Sequence, residues 1–175
     1  MDLVSTLLKN MTTEESLSAL KGVSGGSDKQ VESAVNSAIP TLLKSMTKNA
    51  STDDGARSLL GALGQHTSTD PVSSQIKNAD AIDGKKIIEK IMGGNKDDFI
   101  REIAKETGLD LSQTDSLLSN MAPALMSSVS AANSKQDEPS LKSIFGQFLM
   151  DDEDKKVAEG FKGDGLLDIL KKTIL

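Results

Sequence analysis

The sequence predicts an all-α protein: a helical bundle of two quasi-equivalent four-helix halves with proline-kinked long helices. Three observations predict it. Apolar residues recur at three- and four-residue steps in nearly every segment, the period of a helix with one buried face. Ser, Thr, Asp and Asn stand ahead of those segments and Gly behind them, as helix caps and stops do. Pro40 and Pro123 fall inside two long apolar-periodic runs at equivalent places.

Taken in order, the N-terminal "MDLVSTLLKNM" has an acid at position 2 and no basic n-region, and Ser5, Thr6 and Lys9 break its apolar run. A signal peptide is not expected there. Thr12-Thr13-Glu14-Glu15 has capping-box form and opens a helix with Leu17, Leu20 and Val23 on one face, stopping at Gly25-Gly26. Ser27, with Gln30 at the third position, caps a longer helix carrying Val31, Val35, Ala38, Leu42 and Met46. Thr52 and Asp53 open a third, with Leu59, Leu60 and Leu63 inside. Residues 66–83 read as a connector in which Asp70-Pro71 starts a short turn of helix. Asp83 is expected to cap "GKKIIEKIM", which closes at Gly93-Gly94.

The pattern then repeats. Asn95 is expected to cap "KDDFIREIAKET", with Phe99, Ile100 and Ile103 inward and Gly108 as its stop. Asp110 begins a long helix with Leu117, Leu118, Met121, Leu125 and Val129, and Glu138-Pro139 opens one with Leu141, Ile144, Phe145 and Phe148. After the acidic "DDEDKK", Asp164-Gly165 leads into "LLDILKKTIL". The offset of 83 that relates Pro40 to Pro123 also relates Leu17 to Ile100, Leu20 to Ile103, Gly25 to Gly108, Gln30 to Gln113 and Leu42 to Leu125. Asp83-Gly84 and Asp164-Gly165 match at 81. Two repeats are too few for a solenoid, so the chain reads as one domain, 1–175, with internal halves of about 13–92 and 95–174.

An interior proline costs a helix roughly 3 kcal/mol through a lost hydrogen bond and a ring clash. The apolar period runs through both prolines without changing phase, which favours a bend over two helices meeting there.

Composition narrows the function. The 175 residues carry a net charge of −6, no Cys, Trp or Tyr, and four Phe, so the core is aliphatic and disulfides play no part. Phosphate backbones need a cationic face and stacking platforms, so nucleic acid is not an expected partner. No window approaches 18 apolar residues, so no membrane span is expected.

"IPTLLKSMTKNASTDDGARSLLGALGQH" followed by "DGKKIIEKIMGG" resembles the YidB-like bacterial family, a domain of unknown function (DUF 937). The carriers are Pro40 with Leu42 and Leu43, then Gly55, Leu59, Leu60, Gly61, Leu63 and His66, then Asp83-Gly84 with Ile87, Ile88 and Gly93. "TGLDLSQTDSLLSNMAPALM", with Pro123, fits the family's second proline-containing helix. The resemblance covers roughly residues 13–130, implies an all-α bacterial protein and supplies no catalytic residues. It marks Pro40, Gly61, His66, Asp83, Gly84 and Pro123 as motif positions.

Sites of known chemistry are scarce. His66 is the one histidine, which excludes metal sites built on two. It has two readings: a base for Ser68 or Ser73 oriented by Asp70 or Asp83, or a cap on the carbonyls of the preceding helix. The second is favoured, because no nucleophile-elbow motif accompanies it. The acids Asp53-Asp54, Asp97-Asp98 and Asp151-Asp152-Glu153-Asp154 suit helix first turns, since the residues before Gly84 and Gly165 lack the alternating ligands of a calcium loop. A phosphate loop around "DGKK" fails because Ala79 and Lys86 stand where Gly and Ser or Thr are required. Met46, Met92, Met121, Met126 and Met150 fall at helical spacing and are expected in the core, with an adaptable groove as the alternative.

The expectation is a cytoplasmic, non-catalytic structural or interaction module that binds a protein partner or self-associates, with no cofactor and no metal. The candidate surface is the terminal helix, whose Leu166, Leu167, Ile169, Leu170, Ile174 and Leu175 spread over more than one face. The alternatives are a carrier of an apolar ligand between the two halves and a hydrolase centred on His66. A cleft of several hundred Å³ lined by Leu, Ile and Met favours the carrier.

Overall fold

A computed structural model describes residues 3–50 and 52–134, and every regular element among them is helical. The order is α1 (Leu3–Met11), α2 (Glu14–Ser24), α3 (Asp28–Asn49), α4 (Asp53–Gln65), α5 (Val72–Lys77), α6 (Ala81–Met92), a 3₁₀ turn (Gly93–Asn95), α7 (Lys96–Thr107) and α8 (Leu111–Ser134). The terminal segment with Leu166, Leu167, Ile169, Leu170, Ile174 and Leu175, Met150 and the helix expected after Pro139 lie outside the described residues.

Local chemistry explains where the helices begin and end. The Ser27 hydroxyl accepts from the Gln30 backbone N–H, and the Gln30 side chain accepts from the Ser27 N–H, a complete capping box. Asp110 and Gln113 make the same pair of bonds ahead of α8. Gly25 and Gly108 close α2 and α7 at φ 84° and 79°, left-handed backbone that glycine adopts without a Cβ penalty. Gln113 Nε2 also donates to the Gly25 carbonyl at 3.3 Å, while a Cβ on Gly108 would lie 3.2 Å from Gln30 Nε2. Gln113, of the box ahead of α8, thus lies against Gly25, and Gln30, of the box ahead of α3, lies against Gly108.

Three boundaries differ from the sequence reading. Thr12 closes α1 by donating its hydroxyl to the Leu8 carbonyl, and Thr13 caps α2 by accepting from the Ser16 N–H, so the expected Thr/Glu box is not the one formed. Asp80, not Asp83, caps α6, accepting from the N–H groups of Ile82 and Asp83. Asn95 gives α7 no side-chain cap, because the 3₁₀ turn before it runs directly into the helix. The sequence reading also assigned no helix to α1. There Leu3, Leu7 and Met11 are buried while Ser5 and Lys9 face outward, so polar residues that break the apolar run form the solvent side of a short amphipathic helix.

α3 and α8 are the long struts of one continuous core. Val35, Ala38, Ile39, Leu42, Leu43 and Met46 of α3 and Leu117, Met121 and Leu125 of α8 are fully buried. Each large side chain of this kind contributes about 1.5–3 kcal/mol on leaving water. Met46, Met121 and Met126 are core residues, as their spacing implied. Both α3 and α8 run unbroken through their prolines, so neither is a pair of helices meeting there.

α6 crosses α8 at close range. A Cβ at Gly84 would fall on the backbone carbonyl of Ser119. Ser119 stands four residues before Pro123, whose missing N–H leaves that carbonyl without its usual helical donor. Glycine on one helix and proline on the other thus serve the same contact. Lys85 and Asp115 pair across it at 3.3 Å.

Candidate functional site

His66 ends α4, its backbone N–H donating to the Leu63 carbonyl. Its ring turns back and inward. Nδ1 lies 2.8 Å from the Ala62 carbonyl oxygen and Nε2 lies 2.8 Å from Asp83 Oδ2, with the side chain only 13% exposed. A carbonyl and a carboxylate oxygen are both acceptors, so the contacts are complete when both ring nitrogens carry hydrogen. Asp83 sits in the first turn of α6, where a carboxylate also complements the helix dipole. The pair ties the end of α4 to the start of α6 across the connector that holds α5.

This is the capping role expected of His66, with Asp83 as its partner. The Ser68 hydroxyl accepts from the Asp70 backbone N–H instead, and neither ring nitrogen is left to activate a serine. Among the described residues no group of three or more His, Asp or Glu is placed to hold a metal ion. Asp97 and Asp98 lie in the first turn of α7, as dipole complementarity implies.

The His66–Asp83 pair forms part of the wall of a groove of about 540 Å³ between the end of α3, α4 and α6. Leu59, Ile87, Ile91 and Met126, all buried, make its floor, with Ala62 beside them. Lys48, Lys86 and Lys90 are exposed along its rim, among Asn49, Ser58 and Gln65. Asn49 fixes one end: its Nδ2 donates to the carbonyls of Lys90 at 3.2 Å and Ile91 at 2.8 Å, joining the end of α3 to the end of α6. The first turn of α4 opens on the groove through Thr52 and Gly55. Among the described side chains that line it Asp83 is the one acid, and it is engaged by His66.

Among the described residues the groove is lined by positions of the first half, with Met126 of α8 from the second. Of the six motif positions His66 and Asp83 line it. Gly84 and Pro123 belong to the α6–α8 crossing, Pro40 lies part-buried within α3, and Gly61 is exposed on α4 with open space where a Cβ would stand. Sequence reasoning missed the convergence of Lys48, Lys86, Lys90, Leu59, Ile87 and Ile91. The signal was present in "KKIIEKI", where a Lys pair and an Ile pair, each at i,i+4, form adjacent stripes on one helix.

No helix among the described residues is long and apolar enough to cross a membrane. The family model described as "Bacterial protein of unknown function (DUF937)" matches residues 6–132. No curated protein and no solved structure matches the chain.

Proposed function

The chain belongs to the DUF937 family of bacterial proteins of unknown function, and from its geometry we propose that it is a non-catalytic, cytoplasmic helical binding module whose working surface is the α3–α4–α6 groove. The observation that carries this reading is the groove itself: about 540 Å³, floored by Leu59, Ile87, Ile91 and Met126. That volume lies within the range of about 300–1,000 Å³ typical of small-ligand sites, which are apolar with a few placed polar groups. The non-catalytic part rests on His66, the sole histidine, whose two ring nitrogens already have partners.

A scaffold acting through protein contact or self-association draws on Ile82 and Leu111, the large apolar side chains left 70% and 54% exposed among the described residues. Two side chains are a small part of the roughly 800 Å² per partner that a stable interface buries, so the groove carries the stronger reading. Native mass spectrometry of the full chain purified from its own cytoplasm tests it. A retained small molecule of fixed mass, lost from an Ile87→Glu variant that stays folded, is the expected result. Apo protein throughout, or a ligand that the variant retains, overturns it.

A further inference from the structure

An apolar groove takes its specificity from a few fixed polar groups. The polar side chains along this one differ in what they have left to offer. The Asn49 amide is spent on the Lys90 and Ile91 carbonyls, and the Thr52 hydroxyl caps the N–H of Gly55. The Asp83 carboxylate is only half engaged. Its Oδ2 meets His66 Nε2 at 2.8 Å, and among the described residues no bond or ion pair reaches Oδ1.

That carboxylate is also held in one direction. The His66 ring behind it is only 13% exposed and is seated by Nδ1 on the Ala62 carbonyl. Two short bonds in series thus run from the α4 backbone through the imidazole to Asp83. An outer residue orients one that meets a ligand in this way. Along α6, Asp83, Ile87 and Ile91 follow at four-residue steps on one face, and all three line the groove. The carboxylate therefore stands at one end of an apolar strip about 12 Å long.

An ionised carboxylate accepts hydrogen bonds and donates none, so a ligand group that meets it must be a donor. With hydrogen on both His66 nitrogens the pair carries no net charge, which suits a neutral donor better than an ammonium. We infer that the groove binds an apolar molecule ending in an uncharged hydrogen-bond donor, a hydroxyl in the simplest case. The donor sits on Asp83 and the hydrocarbon runs along Ile87 and Ile91 towards Leu59 and Met126. This rests on the binding reading above and adds the chemistry of the ligand's head.

The test uses the full chain and three probes matched to the strip: decanol, its isomer nonyl methyl ether, which accepts but cannot donate, and decylammonium. Titration calorimetry gives affinity and stoichiometry for each. Decanol is expected to bind one-to-one, about tenfold more tightly than the ether, and more tightly than the ammonium. Asp83→Asn keeps the shape and an oxygen for His66 but turns an N–H to the ligand. The alcohol and ether oxygens answer that N–H alike, so the ratio should fall to about one. A purely structural role for Asp83 would weaken both probes together and leave the ratio as it was. His66→Ala should lower the ratio too, and an unchanged ratio there removes His66 from its positioning role. Equal binding of decanol and ether, tighter binding of the ammonium, or a ratio kept in Asp83→Asn overturns the inference about the head while the groove stands. No binding of any probe overturns both.

Discussion

The backbone of Gly84 packs directly on the carbonyl of Ser119, four residues before Pro123. An α-helix normally occupies that carbonyl with the N–H of the residue four further on, and here that residue is proline. The freed oxygen faces a Cα with no side chain, the arrangement in which weak Cα–H···O contacts join helices at close range. α6 is thereby held against α8, and with it Ile87 and Ile91, the part of the groove floor that α6 supplies.

Gly84→Ala should therefore destabilise the protein by about 2 kcal/mol, since overpacking of a backbone contact outweighs the gain in helix propensity. Gly61→Ala, at a site with nothing within 4 Å of the added methyl, should stabilise it by about 0.5–1 kcal/mol. Urea unfolding of both variants checks the pair. Two motif glycines with the same effect would contradict the packing account.

A double-mutant cycle on His66→Ala and Asp83→Asn should give a coupling of about 0.5–1 kcal/mol, modest because Asp83 is 45% exposed. The coupling should shrink in high salt. His66→Ala alone should cost about 1–2 kcal/mol, more than the loss of one cap, because the ring is nearly buried and bonds at both nitrogens. Additive single effects would show that the two helices are joined by something else.

The helices were legible because short-range chemistry specifies them. Ser27 with Gln30, Asp110 with Gln113, and the left-handed Gly25 and Gly108 act within a few residues of the ends they define. The misreadings share one cause. "DAID" offers two Asp three apart, and the choice of Asp80 over Asp83 as cap is settled by Asp83 pairing with a histidine 17 residues away. Likewise α1 reads as an interrupted run until a core exists for Leu3, Leu7 and Met11 to face. The groove was less legible still, since it assembles Lys48 from α3, Leu59 from α4 and Lys90 from α6.

The internal repeat expected from the sequence makes its own prediction. On that expectation Asp164-Gly165 corresponds to Asp83-Gly84, and Asn36, four residues before Pro40, to Ser119. Gly165→Ala should then lower stability by an amount similar to Gly84→Ala, about 2 kcal/mol. A silent Gly165→Ala in the full chain would contradict the equivalence of the halves.

The central claim is that the α3–α4–α6 groove is where this protein binds, and methyl NMR tests it most directly. With the Ile, Leu and Met methyls labelled and assigned, titration with decanol should shift Leu59, Ile87, Ile91 and Met126, which line the groove, and leave Leu7 and Leu20 of the core in place. Shifts confined to the exposed Ile82 and Leu111, or spread evenly through the core, would contradict it.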